Sequence, residues 1–72
     1  MPEPNQPVEF INIKDVVQLT SLSKPVLYRM MRRGEFPRQV SLSPRRVAWV
    51  LSEVDEWQRV RTAKREQAAE AA

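Results

Sequence analysis

Three arginines and a tyrosine recur at helical spacing within one basic segment of this 72-residue chain. Seven of the twelve Lys and Arg residues fall between Lys24 and Arg46, and Glu35 is the only carboxylate among them. A guanidinium group binds phosphate oxygens, and it can also bind guanine through two parallel hydrogen bonds. The chemistry that this segment indicates is therefore recognition of a polyanion rather than bond making.

The segment divides into two helical faces, one basic and one apolar. The basic face consists of Lys24 at its start, then Pro25, Tyr28, Arg29, Arg32 and Arg33. The apolar face consists of Val26, Leu27, Met30 and Met31. A helix that buries one face and offers cations on the other fits the major groove of duplex DNA. The alternative is a solvated basic surface on an ordinary amphipathic helix.

The composition excludes several classes of function. Cysteine and histidine are both absent, which removes thiol and imidazole catalysis, the common zinc sites and disulfide bonds. We therefore predict no enzymatic activity, no metal and no cofactor. No apolar run approaches the roughly 18 residues of a membrane span, so we expect a soluble, cytoplasmic, nucleoid-associated protein without a membrane partner. The pI near 10.0 favours an anionic partner, and nucleic acid is the commonest.

The elements around the basic segment predict a helix-turn-helix. Apolar residues at helical spacing indicate a first helix over residues 14–19, followed by a tight turn at residues 20–22. Ser23 is a suitable N-cap for the second helix, and Pro25 is tolerated in its first turn. Gly34, the only glycine, suits the left-handed position that ends a helix.

After Gly34 the hydrophobic period changes from helix to strand. Alternation over residues 40–42 and 47–51, with a turn over residues 43–46, predicts a β-hairpin. Its tip carries Arg45 and Arg46, which would make it a wing that holds DNA phosphates or enters a minor groove. The alternative is a surface turn with solvated arginines. Phe36 is expected in the core and Pro37 at a corner.

A third helix is predicted to follow, with Ser52 as its cap and acidic residues in its first turn. Trp49 and Trp57 are expected in the core, because a domain this small has few other large apolar residues. The predicted organisation is a disordered N-terminal arm at residues 1–9, one domain at residues 10–62, and a fraying or helical tail at residues 63–72.

The order of these motifs resembles the AlpA family of prophage regulators over about residues 10–61. The motifs that carry the resemblance are Leu22-Ser23, Leu27-Tyr28-Arg29, Gly34-Glu35-Phe36-Pro37 and the segment from Trp49 to Trp57. The resemblance implies a small winged helix-turn-helix, mainly α with one β-hairpin, related to phage excisionases and to the N-terminal domains of MerR-like regulators. It also implies a regulator of integrase genes, an excisive recombination factor, or both. The chain departs from the family pattern at Ser21 and at Ser43 and Pro44, where the family often has glycine.

These observations together predict a sequence-specific protein for double-stranded DNA. Arg29 and Arg32 are the candidates for base contacts, and Tyr28 could either bond a phosphate or pack against a thymine methyl. The candidates for phosphate contacts are Lys24, Arg33, Arg45 and Arg46. Other copies on adjacent sites, an integrase and RNA polymerase are further candidate partners. Two alternatives remain: a protein-interaction module that recruits integrase or polymerase, with only weak DNA binding, and, ranked low, a binder of structured RNA.

Overall fold

Three helices and a three-stranded sheet form the computed structural model, which describes residues 8–71 and the side chains of residues 8–65. In chain order the elements are β1 (Phe10–Ile11), α1 (Ile13–Thr20), α2 (Lys24–Arg32), β2 (Val40–Ser43), β3 (Arg46–Val50) and α3 (Leu51–Ala71). The helix-turn-helix is α1 with α2, and the wing is the hairpin of β2 with β3. The predicted fold class, a mainly α winged helix-turn-helix, is confirmed.

Helix α1 begins at a capping box that the sequence analysis missed. The Asn12 side chain accepts a hydrogen bond from the Asp15 backbone N–H at 2.8 Å, and the Asn12 N–H donates to the Asp15 carboxylate at 3.4 Å. Two N–H groups that the helix itself leaves without partners are thereby satisfied. The helix is one residue longer at each end than predicted, and Val16 is its fully buried residue.

The turn between α1 and α2 depends on Thr20 and Ser21. The Thr20 hydroxyl donates to the Val16 carbonyl at 2.8 Å and accepts from the Leu22 N–H at 3.2 Å. Ser21 ends the helix with φ 62° and ψ 18°, in the left-handed region that favours glycine. The serine therefore adopts the conformation that glycine would supply, so the departure from the family pattern leaves the turn in place.

Helix α2 begins at Lys24 and ends before Gly34, as predicted, but its N-cap residue makes no side-chain hydrogen bond. Gly34 has φ 71° and donates to the Met31 carbonyl at 3.1 Å, while the Glu35 N–H reaches the Met30 carbonyl at 2.8 Å. Ser23 lies at the N-cap position, but its side chain makes no capping hydrogen bond. The proline at Pro25 explains this in part, because it removes one of the two amides from which a cap side chain usually accepts.

The sheet has the order β1-β3-β2, and both pairings are antiparallel. Phe10 faces Val50 and Ile11 faces Trp49, so the short apolar stretch before α1 forms a strand that the sequence analysis did not predict. The strand was missed because two residues are too few to show alternating hydrophobicity, and because its partner strand, β3, lies far along the chain. Leu51, which was predicted to continue the hairpin, begins α3 instead.

Helix α3 follows β3 directly, so the prediction that Ser52 caps it is wrong. The helix begins at Leu51, whose N–H donates to the Glu9 carbonyl at 2.9 Å. The Glu9 carbonyl, directly before β1, therefore accepts a hydrogen bond from a helix N–H group that a capping residue would otherwise satisfy. The predicted arm, residues 1–9, lies outside the described residues except for Val8 and Glu9, and α3 continues to Ala71 across the predicted domain end at residue 62.

The core lies where both helices of the helix-turn-helix meet the sheet and the first turns of α3. Its buried side chains are Val16, Leu27, Met31, Phe36, Trp49 and Val54. The predictions for Phe36 and Trp49 are confirmed. Trp57 packs against this cluster but is only partly buried, so it lies at the edge of the core rather than within it.

Candidate nucleic-acid interface

Helix α2 has opposed faces, as its sequence indicated. Leu27 and Met31 are buried, while Arg29 and Arg32 are exposed on the other side. Lys24, Pro25 and Arg33 are exposed too, and no acidic residue lies in the first turn. The helix therefore presents a row of cations on a surface held in place by its buried residues, which is the arrangement that a major-groove reader needs.

Tyr28 lies at the margin of this surface. It is half-buried and packs against the core cluster, so it is less open than its position in the sequence pattern indicated. It lies one turn before Arg32 on the same side of the helix, and both residues line one cleft. Tyr28 is thus held by packing against the core and also borders the cleft that Arg32 lines.

The wing places its two arginines apart from α2. Arg45 lies in the turn and Arg46 begins β3, and both side chains are exposed. They line a cleft together with Asn12 and Asp15 at the start of α1. The turn contains no residue of positive φ, which explains why Ser43 and Pro44 can occupy positions where the family often has glycine.

The connection from α2 to β2 is held by both tryptophans. The Trp57 indole N–H donates to the Glu35 carbonyl at 2.8 Å, and the Trp49 indole N–H donates to the Pro37 carbonyl at 3.2 Å. Between these two carbonyls, Phe36 is buried and its ring meets the Trp57 ring edge to face at 4.9 Å. These contacts fix the distance between the basic helix and the wing.

Two residues at the end of this connection were not singled out by the sequence analysis. Arg38 and Gln39 are exposed and line the cleft that also contains Tyr28 and Arg32. Arg38 was counted within the basic segment, but it lies outside any periodic element, so the pattern gave no reason to assign it a role. The position of Arg38 directly after Pro37 was the feature of the sequence that could have indicated a role for it.

A second basic surface lies on α3. The Arg61 guanidinium stacks 4.8 Å from the centre of the Trp57 ring, and Lys64 and Arg65 follow on the same helix. Arg59 instead forms a salt bridge with Glu56 at 3.3 Å, with both side chains largely exposed. These residues extend the positive charge beyond the core.

The described residues hold neither a candidate metal site nor a candidate membrane span. Residues 8–71 contain no group of three or more acidic side chains placed to hold a metal ion, and the sequence has no histidine or cysteine. None of the three helices is long and apolar enough to cross a membrane.

Comparison with known proteins gives two findings. Residues 9–62 match the family described as "Prophage CP4-57 regulatory protein (AlpA)". A protein of Enterobacteria phage P4, described as "Uncharacterized protein ORF88", is 42% identical over 72 residues, which span 99% of this chain and 82% of the relative. The family match includes both helices of the helix-turn-helix, the wing and the start of α3.

Proposed function

This chain belongs to the AlpA family of prophage regulatory proteins, a DNA-binding rather than an enzymatic family, and from that premise we propose that it reads specific sites on double-stranded DNA of a prophage or mobile element. The observation that carries the proposal is the opposition of faces on α2, where Leu27 and Met31 are buried beneath exposed Arg29 and Arg32. The finer role that we propose is regulation of an integrase gene, assistance to excision, or both.

The residues divide into base readers and backbone contacts. Arg29 and Arg32 would bind base edges, because a guanidinium matches the two acceptors of guanine. Residues at the ends of α2 and in the wing would hold phosphates: Lys24, Arg33, Arg45 and Arg46. Pro25 and Tyr28 would lie close to the backbone, the tyrosine with its hydroxyl available as a donor.

The small size of the domain bears on its partners. One copy covers few base pairs, so we propose that several copies on adjacent sites, or an integrase or RNA polymerase nearby, supply the remaining selectivity. The proposed location is the cytoplasm, on the nucleoid. Transcription of an integrase gene and excision of the element, measured separately with and without the protein, would distinguish the two roles.

Random-site selection with the purified protein tests the proposal. We expect an enriched double-stranded motif, and we expect Arg29→Ala or Arg32→Ala to weaken binding to it by about 1 to 3 kcal/mol while the fold remains intact. Arg59→Ala is the matched control, because it removes an exposed arginine from α3. Selection without any enriched motif, or unchanged affinity of both α2 variants, would contradict the proposal.

A second candidate function has one observation in its favour. Helix α3 extends well past the core, and its side chains at residues 59–65 are exposed. Such a helix end could recruit integrase or polymerase, with DNA binding only weak. Loss of recruitment without loss of DNA affinity after deletion of residues 61–72 would favour this candidate.

A further inference from the structure

A cleft of about 370 Å³ opens between the exposed side of α2 and the segment that leads into β2. Tyr28 and Arg32 line it from the helix, Arg38 and Gln39 line it from the segment, and Met31 also borders it. Met31 is a buried core residue, so the apolar part of the cleft is continuous with the core. The rest of the lining can offer hydrogen bonds and positive charge.

Both walls of this cleft are anchored by contacts with the core. On one side, Tyr28 packs against the core cluster. On the other, the carbonyls of Glu35 and Pro37 each accept a bond from an indole N–H, and buried Phe36 lies between them. Arg38 follows Pro37 directly, so its backbone is positioned before any ligand arrives. A preorganised site loses less conformational entropy when it binds.

The charge of the cleft has no counterpart close by. Across the part of the chain whose side chains are described, the one salt bridge joins Arg59 to Glu56, and no carboxylate lines the cleft. A guanidinium group and a phenol hydroxyl, with a second guanidinium at the edge of the cleft, suit an anion with several acceptor oxygens. A phosphodiester group has this chemistry.

The position of the cleft in the fold indicates where on the DNA this phosphodiester group would lie. The cleft lies between α2, proposed to enter the major groove, and β2, which leads to the wing. The two grooves of a duplex are separated by a sugar-phosphate strand, so a protein that contacts adjacent grooves must pass across that strand. A site at this point meets a backbone phosphate before it meets any base.

We propose that Arg38 and the Tyr28 hydroxyl bind one backbone phosphate of the DNA in this cleft, with Gln39 as a neighbouring donor. Arg32, at the edge toward the exposed face of α2, keeps its role as a base reader. This inference rests on the proposed function, and it assigns to Arg38 a role that neither the family match nor the sequence pattern gave.

The test compares Arg38→Ala and Tyr28→Phe with wild type on the selected DNA motif. Tyr28→Phe keeps the packed ring and removes only the hydroxyl. Arg38→Ala should weaken binding about tenfold on specific and random DNA alike and lower the salt slope by about one. Ethylation of single phosphates should interfere with wild-type binding at several positions per copy, and the interference at one of these positions should disappear in Arg38→Ala. Arg59→Ala should behave as wild type in all three measurements.

Two outcomes would overturn the inference while leaving the proposed function intact. One is motif binding that depends on Arg29 but has an unchanged salt slope and interference pattern in Arg38→Ala. The other is saturable binding of inorganic phosphate, followed through the Tyr28 resonances and lost in Arg38→Ala, in a protein whose DNA binding is unchanged by Arg38→Ala; that result would identify a site for free anions. Failure of the proposed function is distinct, since wild type would then select no motif.

Discussion

Two of the residues in the described range 8–71 have positive φ, one a serine and the other a glycine. Gly34 is a glycine with φ 71°, while Ser21 reaches φ 62° with a side chain attached. A Cβ at Gly34 would meet no atom within 4 Å, so the demand for glycine there comes from the backbone alone. Ser21 adopts the same left-handed region at a conformational cost that glycine would not have.

Ser21→Gly should therefore stabilise the domain by about 0.5 to 1 kcal/mol, despite the greater entropy of glycine in the unfolded chain. The free energy of unfolding in urea measures the gain, and DNA affinity should not change. Gly34→Ala makes the opposite change and should lower the free energy of unfolding by about 1 kcal/mol. A neutral or destabilising Ser21→Gly would mean that the serine side chain contributes to the turn.

At the scale of single residues, the features that could be predicted were those that depend on residue type and on the pattern of neighbouring residues. Gly34 was identified because it is the only glycine and follows a helical repeat, and Phe36 and Trp49 because the core needs large side chains. Asn12 was missed, although Asn followed three residues later by Asp is a cap pattern, because the start of α1 was placed one residue late. The partial exposure of Trp57 depends on where α3 crosses the core, which local pattern does not encode.

At the scale of elements, α3 is connected to the end of α2 mainly through Trp57. Its indole N–H donates to the Glu35 carbonyl, its ring meets Phe36, and Arg61 stacks on it. The boundaries of α2 could be predicted because Pro25 and Gly34 mark them. The start of α3 could not, because the partner of the Leu51 N–H is the distant Glu9.

Trp57→Phe should keep an aromatic ring against Phe36 and lose the hydrogen bond to Glu35. We expect a loss of about 1 to 2 kcal/mol in stability with the fold retained. Unfolding can be followed through Trp49, which becomes the only tryptophan. DNA affinity should fall as well, because the wall that positions Arg38 is loosened.

Val60→Ala, a change at an exposed position on the same helix, is the control for Trp57→Phe and should alter neither stability nor binding by much. Full retention of DNA affinity by Trp57→Phe, together with reduced stability, would show that the connection does not position the interface.

At the scale of the whole molecule, the basic groups form separate clusters. Arg29 and Arg32 lie on α2, whereas Arg45 and Arg46 lie near the start of α1. The sequence predicted both clusters, but it could not predict the distance between them, since that distance is set by the sheet register and by the bonds from Trp49 and Trp57.

Replacing both Arg45 and Arg46 by Ala should weaken binding to all DNA sequences alike and lower the salt slope by about one for each lost phosphate contact. Sequence preference should remain, because α2 is untouched. Binding measured over a range of salt concentrations, on the selected motif and on random DNA, tests this. An unchanged slope would remove the wing from the interface, and a loss confined to the motif would make it a base reader.

The pairing of β1 with β3 also has a consequence for the order in which the chain can fold during synthesis. Strand β1 and both helices of the helix-turn-helix leave the ribosome before Trp49 and Val54, which complete the core beneath them. Contacts between residues so distant in sequence are slow to form, because loop closure must come first. The basic helix is therefore synthesised well before it has a stable core to hold it, and competence for DNA binding should arise in one late step, when the start of α3 emerges.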